Sequence, residues 1–274
     1  MLDWFNTFFR VLIGGYASMF GDLHPLLSLT PLSIAIGVVM LWVFGLTSDQ
    51  NAIEKTKKRL QAYLLELRLY GDDPAMIWRS QKDLLTTNFR YMALMLKPAI
   101  YLTVPMVVLL FHLDSFYGLK PLLVSEPMVV TVQVSGEIAN DTVAPILTAP
   151  AGITVETPAV RALEPGQFSW RIRPTRETSG DLKFTWAGHG SWEKSVASGN
   201  HWQYLNHRRV NASLESLMHP GEDLLGAAGV EWVEILYPAA TIELWGVDLH
   251  WLIWFFVISM VSAYLLKGYF KVVI

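Results

Sequence analysis

The sequence has no cysteine and few charges. Without Cys, disulfide staples, thiol nucleophiles and Cys-ligated zinc are excluded. A disulfide-free outer domain suits a bacterial periplasm better than an animal extracellular space. Charged residues make up 16% of the 274-residue chain, against about 25% in soluble domains. A net charge of −3 offers no global basic surface for nucleic acid. The charge deficit is uneven: it falls in three apolar blocks, which predicts membrane spans rather than one greasy soluble core. Mean hydropathy of +0.33 agrees.

What is present divides the chain into seven parts. Residues 1–24 place Trp4, Phe5, Phe8, Phe9, Leu12, Ile13 and Tyr16 at helical spacing, interrupted by Arg10, Gly14 and Gly15 and followed by Asp22, His24 and Pro25. This predicts an interfacial amphipathic helix. A cleaved signal peptide fits less well, because no positive n-region or small-x-small site is present. Residues 25–48 form a first span with an uncharged centre, and Pro31 sits in its first turn. Residues 49–97 are polar and helical. They carry Lys55, Lys57, Lys58, Arg59, Arg68, Arg79, Lys82, Arg90 and Lys97. YGDDPA at 70–75 breaks this stretch into a coiled-coil-like hairpin, with Asp73 as N-cap and Pro74 as first helical residue.

Residues 98–118 form a second, short span with a kink expected at Pro105. Residues 119–248 alternate apolar and polar with period two in MVVTVQVS, QFSWRIRP, DLKFTWAG and VEWVEILY. Phe168, Trp170 and Ile172 face one way, and Ser169, Arg171 and Arg173 the other. EPGQ at 164–167 marks a turn, and the stretch at 140–152 reads as loop or linker. The pattern predicts an all-β, sandwich-like domain. Residues 249–267 form a third span, opened by an aromatic belt of Trp245, Trp251 and Trp254, and 268–274 form a basic tail. The positive-inside rule puts the hairpin and tail in the cytoplasm, and the N-terminus and β-rich domain outside. The expected fold is an α-helical membrane protein of three spans with an inserted extracytoplasmic β domain, in a bacterial inner membrane.

This order of parts resembles the YidC/Oxa insertase superfamily. The similarity is closest in SDQNAIEKTKKRLQAYLLELRLYGDDPAMIWRSQKDLLTTNFRYMALMLKPAIYLTVPMVVLLF at 48–111. There a first span runs into a polar hairpin, and a KP…P approach leads into the second. The three-span branch, which includes archaeal members and subunit three of the ER membrane complex, is similar in placing its third span last. The resemblance covers 1–118 and the final span. It implies a non-enzymatic insertase or membrane-protein chaperone subunit without cofactor. The implied partners are nascent membrane proteins, other membrane-complex subunits, the ribosome, and an outer protein bound by the β domain. An accessory subunit of a larger envelope complex is the alternative. Two features depart from the family: no Arg lies between Leu26 and Leu46, and the β-rich insert is long.

Candidate residues follow. Thr30, Ser33 and Thr47 in span one, Thr103 in span two, and Ser259 and Ser262 in span three would line a hydrophilic groove or else mediate helix packing. Met92, Met95 and Met106 would offer a flexible apolar slide, or fill a core. Lys55, Lys57, Lys58 and Arg59 would contact ribosomal RNA or anionic head groups, or simply fix topology. His189, His201, His207 and His219 lack a carboxylate at metal-ligand spacing, so no metal is expected. GHGSW at 188–192 is not a G-x-S-x-G elbow. Trp170, Trp186, Trp192, Trp202 and Trp232 read as a sugar platform or, more simply, as domain core. Asn140 and Asn211 open glycosylation sequons, which carry meaning only in a eukaryote.

Overall fold

The computed structural model describes residues 2–20, 24–70, 72–135, 143–162, 164, 166–244 and 246–273. Asp22, Pro165, Trp245 and the Asn140 sequon lie outside them. Among the described residues are five α-helices and eleven strands. The chain divides into two compact units, Met1–Ser28 with Val108–Trp251, and Leu29–Val107 with Leu252–Ile274.

The second unit is helical. It holds most of α2 (Pro25–Thr47), all of α3 (Gln50–Leu69), most of α4 (Pro74–Tyr117) and nearly all of α5 (Trp251–Leu266). Asp49 caps α3 by accepting the Ala52 N–H, and Asp73 caps α4 by accepting those of Ala75 and Met76. Both caps satisfy donors that a helix start otherwise leaves bare. A side-chain hydrogen bond joins α3 to α4. Ile53 and Thr56 are buried on α3 and Ser80 on α4, and Ser80 Oγ donates to Glu66 Oε2 at 3.1 Å.

The predicted second hairpin helix and second span are one helix of 44 residues. It runs through Pro98 and Pro105, although each proline deletes one i→i−4 bond. Its length is about 66 Å at 1.5 Å per residue, roughly twice the hydrocarbon thickness of a bilayer. By length and composition α2 and α4 are each apolar enough to cross a membrane, whereas α5, with 16 residues, is apolar but shorter.

The first unit holds α1 (Leu2–Ser18), the last turns of α4 and the β-rich region. Its main antiparallel sheet runs β3 (Ile153–Val155), β5 (Gln167–Pro174), β1 (Met128–Val134), β9 (Val230–Ile235), β8 (Arg208–Val210), with β4 (Val160–Ala162) also on β5. A second sheet runs β2 (Ile146–Thr148), β6 (Thr178–Trp186), β7 (Gly190–Ser198). A small ribbon pairs β10 (Ile242–Leu244) with β11 (Val247–Leu249).

Period-two alternation decides the burial. Phe168, Trp170 and Ile172 of β5 are buried with Leu182, Phe184 and Trp186 of β6 in one apolar cluster. Rings from the two sheets meet there, Phe168 against Trp186 and Trp170 against Phe184, each pair 5.5 Å between centres. All four predicted strands are present. Sequence reasoning missed β7 and read 140–152 as irregular, whereas 146–148 pairs with β6. GHGSW holds the β6–β7 hairpin turn, where Gly188 and Gly190 have φ of +85° and +91°.

Four helix ends are tied together within this unit, those of α1, α2, α4 and α5. Tyr117 at the end of α4 donates its hydroxyl to Ser28 Oγ at 2.9 Å, and Tyr16 of α1 donates to the Ser28 carbonyl at 2.7 Å. Trp251, first residue of α5, donates Nε1–H to Asp114 at 3.0 Å. Helix α1 also meets the β-rich region, where Arg10 donates to the Gly221 carbonyl at 2.8 Å.

Candidate functional site, an apolar groove among three helices

In the helical unit α2, α4 and α5 enclose an open groove of about 430 Å³. Ile36, Met40 and Phe44 stand on α2 at intervals of four, so they share one face. Leu102 and Met106 of α4 make the second wall, and Phe256 and Met260 of α5 the third. Three methionines from three helices therefore line one apolar space. Unbranched, polarizable thioethers adapt to apolar surfaces of different shape.

The groove depends on how closely α2 and α5 cross. Gly37 is the contact point. A Cβ there would lie 2.5 Å from Ser262 Oγ and 2.6 Å from the Ser259 carbonyl. Small residues at such a crossing let helix backbones approach. Trp254 of α5 fixes the same pair by donating Nε1–H to Thr30 Oγ1 at 3.0 Å.

Apart from Thr30, the hydroxyls predicted to line a hydrophilic groove donate to backbone carbonyls of their own helices. Ser33 is fully buried and donates to the Leu29 carbonyl at 2.7 Å. Ser259 donates to Phe256 O and Ser262 to Ser259 O, and Thr47 to Val43 O. Ser259 alone of these touches the groove, beside Gly37. Thr103 is exposed and donates to Ala99 O. Met106 lines the groove, whereas Met92, 58% exposed, and the half-buried Met95 lie further back on α4. Lys55, Lys58 and Arg59 share an exposed face of α3, with Lys58 paired to Glu54 at 2.7 Å, and Lys57 is half-buried. Sequence reasoning missed Met40 and Met260. The i, i+4 spacing was visible, but an apolar helix offers no polar face against which to orient it.

The buried charges lie in the β-rich unit. Lys194 of β7 is fully buried, with Nζ 2.8 Å from Glu222 Oε2 and 2.5 Å from the Asn206 carbonyl. Burial pushes its ammonium below the ordinary value, and the Glu222 carboxylate pulls it back. His207 and His219 stack edge to face, 4.9 Å between centres. Burial first, then His219, Arg208 and Lys194, push His207 down to about 4. His201 lies 3.7 Å from Glu177, and His189 packs on Trp186. Of the five tryptophans, Trp170, Trp186 and Trp192 are buried core. The Arg208 guanidinium covers one face of Trp232, 4.3 Å from its centre. Asn211 spends its amide within the fold, donating to Ala227 O and Val230 O and accepting the Gly226 N–H. None of these groups is arranged as nucleophile and base.

Comparison with protein-family models, with curated proteins and with solved structures gives no match.

Proposed function

We propose that this chain is a membrane-embedded holder of apolar helices, an insertase-like or chaperone subunit of the YidC/Oxa plan. The carrying observation is the groove in which Met40, Met106 and Met260 converge from three helices. In this reading α2, the second half of α4 and α5 cross the bilayer. The α3–α4 hairpin lies in the cytoplasm of a bacterial cell, and the β-rich region, a two-sheet sandwich, lies outside. The exposed face of Lys55, Lys58 and Arg59 suits anionic head groups or a ribosome. A client helix would lay its side chains against the methionines, gaining packing that lipid tails supply less specifically.

The same groove supports a second reading. Among its described lining residues only Ser259 carries a hydroxyl, and that hydroxyl donates to the Phe256 carbonyl of its own helix, so the groove offers few polar groups to hold water or a polar flank. A permanently bound helix of a partner subunit fits such a dry surface equally well. Photocrosslinking probes at Met40, Met106 and Met260 separate the two. Crosslinks to many stalled nascent membrane proteins support the client reading. Crosslinks to one stoichiometric protein support the accessory subunit. Silence at all three positions, with the fold intact, defeats both.

A further inference from the structure

We infer that a cleft in the first unit binds the zwitterionic head group of an amine-bearing phospholipid. The inference rests on the membrane reading above. The cleft has a volume of about 240 Å³ and is formed by residues 24–25, 120–123, 199–202 and 241–243. Its position along the chain matters. Pro25 is the first residue of α2, Lys120 follows closely on the end of α4, and Glu243 precedes α5 on the β10–β11 ribbon. Three of the four lining segments are thus those by which the chain enters or leaves its apolar helices, and the fourth, 199–202, follows β7. For a chain threaded through a bilayer, those segments lie at the depth of the phosphates.

The chemistry of the lining matches that depth. Lys120 is half-buried and forms no ion pair with a described residue, while its backbone N–H is committed to the Pro238 carbonyl at 2.9 Å. A half-buried ammonium not engaged in an ion pair can accept an anion from outside the chain. His24 Nδ1 accepts the Leu26 N–H at 3.3 Å, which leaves its proton on Nε2 as a second donor. Trp202 brings an indole of the kind that settles at head-group level. Glu243 is an exposed carboxylate on the same lining, an acceptor for an ammonium. Cation and anion in one small cleft favour a phosphate joined to an amine over a purely anionic head. Leu123, 43% exposed at the cleft, gives the glycerol end an apolar surface.

The test uses the full-length chain, purified in detergent, delipidated and examined by native mass spectrometry. Phosphatidylethanolamine, phosphatidylglycerol, phosphatidylcholine and inorganic phosphate are titrated in turn. The expected result is one phosphatidylethanolamine retained by the natural chain, with roughly tenfold weaker retention in Lys120→Gln. Lys120→Arg should retain it. Glu243→Gln should bring phosphatidylethanolamine and phosphatidylglycerol to equal retention. Retention unchanged in Lys120→Gln overturns the site, and so does loss in Lys120→Arg. Displacement of the lipid by equimolar inorganic phosphate overturns the lipid assignment. Alkaline extraction of membranes carrying the same variants separates the two levels of inference. Resistance in every variant leaves the membrane reading standing whatever the cleft binds, and extraction of the natural chain sinks that reading itself.

Discussion

Lys194 and Glu222 form an ion pair at 2.8 Å in which the lysine side chain has no exposure at all. The pair holds the 221–223 loop to β7, because Glu222 Oε1 also accepts the Ser195 N–H. One residue away, the Gly221 carbonyl receives Arg10 from α1. The loop therefore links the interior of the β-rich region to the N-terminal helix.

Breaking that pair on one side should be severe. Lys194→Ala leaves the largely buried Glu222 carboxylate without its counter-charge, a change that costs about 3 kcal/mol or more. Lys194→Met combined with Glu222→Met should cost less than Lys194→Ala alone. Thermal unfolding of the detergent-solubilised chain, followed by near-UV dichroism of the core tryptophans, measures both. Equal melting of Lys194→Ala and the natural chain would show that the pair carries no stability.

Arg10→Ala should loosen α1 without unfolding the β-rich region. The lost bond is charge-assisted and worth about 1.5–3 kcal/mol. Amide exchange across residues 8–16 should rise, while exchange in β1 and β5 stays slow. Unchanged exchange in α1 would mean that Ile13 and Tyr16 hold the helix without Arg10.

Acid should destabilise the first unit through His207. Its folded value is about 4 against an ordinary 6.5. Burial favours the neutral ring, so the stabilisation is complete above pH 6.5 and is lost as pH falls from there towards 4. The unfolded chain binds the extra proton over that interval. After allowance for solvent access the loss is on the order of 1–2 kcal/mol. Melting temperature against pH should fall over this window in the natural chain and fall less in His207→Gln. Parallel curves would remove His207 from the acid response.

Gly37→Ala should separate α2 from α5. The added methyl meets Ser262 Oγ at 2.5 Å and the Ser259 carbonyl at 2.6 Å, and overpacking of this kind costs about 1–3 kcal/mol. Ser262→Gly should give only partial rescue, because the Ser259 backbone contact remains. Crosslinking between Cys substituted at Thr30 and at Trp254 reads the separation directly, since the chain has no other cysteine. Undiminished crosslinking in Gly37→Ala would show that the helices accommodate the methyl.

Local rules made much of this architecture legible. Asp73–Pro74 marked the start of α4 because capping chemistry is carried by adjacent residues. Alternation in QFSWRIRP located β5 and its buried face, because a strand repeats every two residues. The groove was only partly legible. Met106 was picked out, and Met40 and Met260 were not, although all three are the same kind of residue. The serines suggested a wet lining, but each also has an acceptor one turn back on its own helix. The choice between these fates depends on helix rotation, which uniform apolarity does not encode.

By itself the sequence determined where the apolar segments lie, where helices start, which face of each long strand is buried, and that no thiol chemistry is present. Each follows from neighbouring residues and a fixed repeat. Only tertiary structure decided that Gly37 meets Ser262, that three methionines share one space, that α4 runs unbroken through two prolines, and that Lys194 finds Glu222. Those outcomes rest on contacts between residues distant in the chain. Their energies come from close packing and desolvation, which exist only once the elements have come together.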